Sequence, residues 1–226
     1  KEKALKSVDK IICISHKTKE DLINFYNIEE KKIDVIYLGI QKFADFEEKK
    51  LIKIEKPFLL YVGDRGKYKN FSNFIKAYSL SKKLKNDFSI ICCGGGKITK
   101  NEKNLISNLN INYSKILQIE VTDNELAYLY KNSTALIYPS LYEGFGLPTI
   151  EAMSLGCPVI CSNHVAILEA VGKAAKIFNP NNIEEIKNCI EDTIYSKDQL
   201  DKLRIQGVER SKLFSWEKCA QETLKV

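Results

Sequence analysis

Tyr138-Pro-Ser-Leu-Tyr-Glu-Gly-Phe-Gly-Leu-Pro-Thr-Ile-Glu-Ala-Met-Ser-Leu-Gly-Cys-Pro-Val-Ile-Cys161 decides how the rest of the chain is read. The apolar run Ala135-Leu-Ile-Tyr138 that leads into it is short and uninterrupted, which predicts a central strand. Pro139 stops that strand. Gly144 and Gly146 let the backbone turn tightly and approach a ligand closely. Pro148 suits the first turn of a helix, where its missing N–H has no partner to lose. Gly156 and Pro158 close the helix, and Val159-Ile-Cys161 begins the next strand. A loop that feeds a helix N-terminus after a parallel strand is where open α/β sheets bind ligands, phosphates above all.

Two carboxylates flank this turn, Glu143 before the glycines and Glu151 in the expected first turn of the helix. Near a diphosphate they would repel unless given another task. Accepting hydrogen bonds from sugar hydroxyls is such a task, because a carboxylate offers two acceptor oxygens and a vicinal diol two donors. The plainer reading stays open at this stage: Glu151 complements the helix dipole and Glu143 is solvated surface.

Glu143-Gly-Phe-Gly-Leu-Pro-Thr-Ile-Glu151, continuing through Ala152-Met-Ser-Leu-Gly-Cys-Pro-Val159, closely resembles the nucleotide-sugar signature of the GT4 group of GT-B glycosyltransferases. In that family the first glutamate contacts the donor sugar and the second the ribose. The amides between them face the donor phosphate and sugar. The resemblance therefore implies that Gly144, Phe145, Gly146 and Leu147 line the donor.

A chain of 226 residues, 44% hydrophobic, can bury one sizeable core, or one domain and part of another. No apolar stretch approaches the roughly 20 residues that cross a bilayer, and no secretory leader is visible. The chain starts at Lys1 and holds Met153 as its one methionine, so a piece of a longer protein is expected. The net charge of +6 is spread along the chain without a basic stripe interleaved with aromatics, which argues against nucleic acid. Weak attraction to an anionic membrane surface stays open. The seven cysteines are odd in number and show no paired metal-ligand spacing, which points to a reducing, cytoplasmic setting.

From the N-terminus, the tail of a helix is expected over 1–9, a strand at Lys10–Ile14, a helix capped by Ser15, and a strand at Ile33–Tyr37. Residues 41–56 are charged and aperiodic, the best linker. Pro57–Val62 predicts a buried strand, followed by the polar loop Gly63-Asp-Arg-Gly-Lys-Tyr-Lys-Asn70. Strands are further expected at Phe88–Cys93, Ile116–Ile119 and Ala174–Phe178. Helices are expected from Phe71, over 99–109, from Val121 to about Tyr130, along the Ile183, Ile186, Ile190, Ile194 stripe, over roughly 198–213, and from Ser215 onward. The alternation gives a doubly wound, Rossmann-like parallel sheet. Neither a dinucleotide G-x-G-x-x-G nor a P-loop is present, although Gly94-Gly-Gly-Lys97 superficially resembles one.

Arg65, Lys67 and Lys69 follow the strand that ends at Val62, at the expected ligand edge, where cations would stabilise a departing diphosphate. The loop resembles the GT4 segment that supplies a diphosphate-binding Arg and Lys, which implies Arg65 and Lys69, with Lys67 a decoy or a helper. The resemblance also places Gly63 and Gly94 near the nucleotide and Val121 near its base. It divides the chain at 1–41 (end of an N-terminal acceptor domain), 42–213 (donor-binding domain) and 214–226 (a helix returning to the N-terminal domain, with Trp216 in packing). It implies a retaining hexose transfer from a nucleoside-diphosphate sugar to a glycan or lipid-linked acceptor in cell-surface polysaccharide synthesis. No metal and no cofactor are expected, and the piece alone is expected to be inactive. Another GT-B chemistry, such as nucleotide-sugar epimerisation, and a non-catalytic donor-binding subunit remain alternatives. His164, after a strand on the ligand edge, is a further candidate for the pocket wall.

Overall fold

The alternating elements wind both ways from one strand. The protein is described by a computed structural model over residues 2–40 and 57–226. The N-terminal part holds α1 (Glu2–Ser7), β1 (Ile11–Cys13), α2 (His16–Tyr26) and β2 (Ile33–Val35). β1 and β2 pair in parallel, and Ser15 caps α2 by accepting from the Thr18 amide.

The larger part begins with β3 (Phe58–Val62), α3 (Phe71–Leu80), α4 (Lys82–Asp87), β4 (Ser89–Cys93), α5 (Lys100–Asn108) and β5 (Ile116–Ile119). It continues through α6 (Asp123–Asn132), β6 (Ala135–Tyr138), α7 (Leu147–Ser154), β7 (Val159–Ser162), α8 (Val165–Val171) and β8 (Lys176–Phe178). It ends with α9 (Ile183–Ile194), α10 (Lys197–Ser211) and α11 (Trp216–Thr223). The six strands are all parallel, in the order β5-β4-β3-β6-β7-β8. Strand order therefore reverses between β3 and β6, and the carboxyl ends of those two strands flank the crevice where such sheets bind ligands.

Alternation along β3 shows why the sheet is covered on both faces. Leu59 and Tyr61 join one core with Phe74, Tyr78, Ile186 and Ile190 from α3 and α9. Phe58 and Leu60 join the other with Leu129, Met153 and Val171 from α6, α7 and α8. The isoleucine stripe of α9 is core, as its spacing predicts. Helices α4 and α8 were not anticipated, because each is shorter than two full turns of readable periodicity. The linker expected at 41–56 lies outside the described residues.

The two parts meet at a third cluster. Tyr37 stacks on Phe145 at 5.3 Å between ring centroids and meets Phe214 edge-on at 5.8 Å. Gly39 is required there, since a Cβ would lie 2.2 Å from the Trp216 amide nitrogen. The packing expected of Trp216 is thus made by its backbone and by Phe214, which is 4% exposed, while the indole is 52% exposed. Ser215 caps α11 at the Lys218 amide.

The cysteines in the described strands are buried and unpaired. Burial pushes the Cys92 and Cys93 thiols up to about 12, so they behave as small hydrophobes. Among the described residues no group of His, Cys, Asp and Glu could hold a metal ion, and no helix is long and apolar enough to cross a membrane.

Candidate functional site

The loops after β3 and β6 face each other across the switch point. They are tied directly, since the Leu141 amide donates to the Tyr68 carbonyl at 2.7 Å. Asn70, at φ 57°, donates from its side chain to the Pro139 and Pro180 carbonyls. Tyr61, buried under the loop, donates to the Asp64 carbonyl at 2.7 Å. Lys69 ends a single 3-10 turn and is thereby aimed at the β6 loop.

There Lys69 Nζ meets Glu143 Oε1 at 2.7 Å, with both side chains mostly buried. The Tyr138 hydroxyl also donates to Glu143 Oε1 at 2.7 Å, and Lys69 donates to the Tyr138 oxygen at 3.2 Å. One oxygen of Glu143 is thus doubly held. Among the described residues no donor reaches Oε2. Burial, with the Glu143 charge beside it, pushes the Tyr138 hydroxyl above the ordinary tyrosine range, so it keeps its proton and donates.

Gly146 begins α7 at φ 100°, a value that side chains rarely adopt. Among the described residues, no protein acceptor takes up the amides of Phe145, Gly146 and Leu147, which leaves a helix N-terminus with free donors. Gly144 is a site of close approach: a Cβ there would stand 3.3 Å from Ile14 Cδ1. The Phe145 ring turns away into the cluster with Tyr37, so only its backbone can serve a ligand.

Glu151 falls in the second turn of α7, which has no acidic residue in its first turn, so the dipole reading of Glu151 does not hold. Its carboxylate is largely buried and accepts from the Tyr130 hydroxyl on Oε2 at 3.2 Å. Desolvation raises its pKa above the ordinary carboxylate value, partly opposed by the tyrosine.

Arg65 departs from the expectation that it faces a diphosphate. Its side chain is buried, with Nε on Glu102 at 2.9 Å and Nη1 on the Gly94 carbonyl at 2.7 Å. Nη2 reaches the carbonyls of Gly95, Gly96 and Lys97. Gly94, Gly95 and Gly96 all lie at positive φ, which curls their carbonyls around the guanidinium. The cation is spent on protein acceptors. Gly63, whose amide donates to the Cys93 carbonyl at 2.9 Å, joins the β3 and β4 ends above this knot. Gly94 abuts Gly63 and stays exposed, and Val121 packs on the core just before the Thr122 cap of α6, at the edge strand. The expectation for the Lys67 side chain lies outside what the structure describes.

His164 precedes α8 and packs edge-on to Tyr142 at 5.0 Å. The Tyr142 hydroxyl donates to Asp21 of α2, across the boundary between the two parts. Burial lowers the His164 pKa. Sequence reasoning missed Glu169 of α8, which accepts from the His16 and Lys17 amides at 2.8 and 2.9 Å and so caps α2 from the other part. It also missed the two tyrosines that hold the glutamates. Tyr138 ends a strand, and an inward side chain at a carboxyl end was the available signal.

The description "Glycosyl transferases group 1" matches residues 42–210. The chain belongs to the group 1 glycosyl transferases. Residues 1–42 match "Glycosyltransferase Family 4". The chain is 32% identical over 191 residues to the O-antigen chain mannosyltransferase RfbU of Salmonella typhimurium, covering 84% of this chain and 52% of that protein. It is 28% identical over 226 residues to a diphospho-undecaprenol 4-alpha-N-acetylgalactosaminyltransferase of Campylobacter jejuni, covering 96% of this chain and 59% of the relative. The chain thus spans little more than half the length of these relatives. In fold it is similar to a glycosyltransferase from Rickettsia africae, with TM-score 0.82 and 24% identity, over 99% of this chain and 65% of that one. The Rossmann-like, doubly wound parallel sheet expected from the sequence is the one observed.

Proposed function

We propose that this chain carries the donor half of a retaining glycosyltransferase that moves a hexose from a nucleoside-diphosphate sugar to a glycan or lipid-linked acceptor, in the synthesis of a cell-surface polysaccharide at the cytoplasmic side of a membrane. The observation that carries this reading is Glu143 at the switch point, with Oε1 held by Lys69 and Tyr138 and Oε2 open beside the free amides of α7. A carboxylate so fixed accepts from sugar hydroxyls and gives no welcome to a phosphate. Lys69 and the α7 N-terminus supply the positive charge against which a diphosphate departs. Glu151, one helical turn further, is given the ribose hydroxyls.

Arg65 then acts on the donor only through the shape of the Gly94–Lys97 turn. The names of the relatives, a mannosyltransferase acting on O-antigen and a transferase acting on a diphospho-undecaprenol glycan, support a hexose-type donor and a lipid-linked acceptor. The acceptor-binding half is assigned mainly to sequence beyond this chain, and the net charge of +6 favours weak association with an anionic membrane surface.

A panel of UDP-, GDP- and ADP-sugars tests the reading. One base class should raise the melting temperature of this chain without turnover. The longer protein that includes the acceptor-binding half should release nucleoside diphosphate only when a glycan or lipid-linked acceptor is present. Absence of any stabilisation across the panel, or a donor that binds and is epimerised rather than transferred, contradicts the proposal.

A further inference from the structure

Each site glutamate is held by a buried tyrosine from the apolar core. Tyr138 is 1% exposed, and its ring lies against the Gly146 turn, 3.8 Å from where a Cβ of that residue would sit. Its hydroxyl stands between a pure donor, the Lys69 ammonium, and a pure acceptor, the Glu143 carboxylate, so its one proton is committed to Glu143. Tyr130, also fully buried, points its hydroxyl at Glu151 Oε2. Other buried tyrosines satisfy themselves on backbone: Tyr61 on the Asp64 carbonyl and Tyr78 on the Phe88 carbonyl at 2.7 Å. Tyr138 and Tyr130 instead spend their hydroxyls on the two carboxylates of the turn.

We infer that Tyr138 and Tyr130 are positioning residues that divide donor recognition between them, Tyr138 aiming Glu143 at the sugar and Tyr130 aiming Glu151 at the ribose. In each pair the tyrosine occupies one carboxylate oxygen, and among the described residues no donor reaches the other, which is left for a donor hydroxyl. The carboxylate is then fixed before the ligand arrives, which lowers the ordering cost of binding. The inference rests on the proposed donor site.

The experiment is calorimetry with UDP and GDP and with the corresponding sugar nucleotides, on the wild-type chain, Tyr138→Phe, Tyr130→Phe, Glu143→Ala and the Tyr138→Phe/Glu143→Ala double variant. Phenylalanine keeps the ring volume, and a melting curve on each variant confirms the fold. Tyr138→Phe should weaken the sugar nucleotide about tenfold, in line with a hydrogen bond to a charged group, and leave the nucleoside diphosphate unchanged. In the Glu143→Ala background it should add nothing, since its effect runs through that carboxylate. Tyr130→Phe should weaken both ligands. It should also move the acid limb of nucleoside-diphosphate binding to higher pH, because the tyrosine helps keep Glu151 ionised. If Glu143→Ala weakens the sugar nucleotide while Tyr138→Phe matches wild type, or if the two losses add in the double variant, the positioning role is overturned. Unchanged pH limbs in Tyr130→Phe overturn the role of Tyr130. If Glu143→Ala itself changes nothing, the failure lies with the donor site, and the inference falls with it.

Discussion

Two glycine turns stand at the carboxyl ends of parallel strands on either side of β3, and each receives a cation from the same β3 loop. At the end of β4, Gly94–Gly96 wrap four successive carbonyls, through Lys97, around Arg65, and Glu102 balances the charge. At the end of β6, Lys69 reaches Glu143, and the amides from Phe145 to Leu147 find no protein acceptor among the described residues. The first turn is saturated from within. The second keeps one carboxylate oxygen and a helix N-terminus for a ligand. Glycine and a neighbouring cation therefore do not mark a phosphate site by themselves. What separates the two is whether carbonyls or amides face inward.

The comparison breaks most visibly at the cations. Arg65→Met removes the buried guanidinium on which the turn's carbonyls converge and takes the ion-pair partner from Glu102, so it should cost on the order of 3 kcal/mol in denaturant unfolding. Lys69→Met should cost less than that, because Glu143 keeps Tyr138, yet should weaken nucleotide-sugar binding at least about tenfold. The reverse pattern, a neutral Arg65 variant and a destabilising Lys69 variant, would show that the turns have been assigned the wrong way round.

A smaller effect sharpens the open turn further. Glu151 is raised by burial, so the folded chain holds its proton to higher pH than the unfolded chain does. Between the ordinary carboxylate value and that raised value the folded state binds more protons, and stability falls as pH rises through the window. Glu151→Gln carries no charge and escapes that loss. It should melt higher than wild type at neutral pH, by on the order of a few degrees, with the gain fading as pH falls to the ordinary carboxylate range. A variant that melts lower than wild type at neutral pH would mean the carboxylate is satisfied by the protein rather than held for a ligand.

Much of this was legible in the residues. The apolar run to Tyr138, the glycines and Pro148 placed the strand, turn and helix of the open site, and the isoleucine spacing of α9 placed one core layer. Pairing of Lys69 with Glu143 follows from strand order, which alternation alone does not give: β3 and β6 are neighbours although 72 residues separate the last residue of one from the first of the other. The direction of Arg65 was not legible, because side-chain aim depends on the φ of three glycines 29 to 31 residues away. Thr99 and Glu102 were the nearest clue, a capping box whose glutamate also turns to Arg65. Glu169 shows the same limit, since it caps a helix 152 residues earlier in the chain.

In the proposed function the two glutamates of the open turn read different parts of one donor. Calorimetry on Glu143→Ala and Glu151→Ala, each with the nucleoside diphosphate and with its sugar-bearing form, separates the two roles. Glu151→Ala should weaken both ligands alike, whereas Glu143→Ala should weaken only the sugar-bearing one. Equal losses on both ligands in both variants, or unchanged donor affinity in each, would contradict this division.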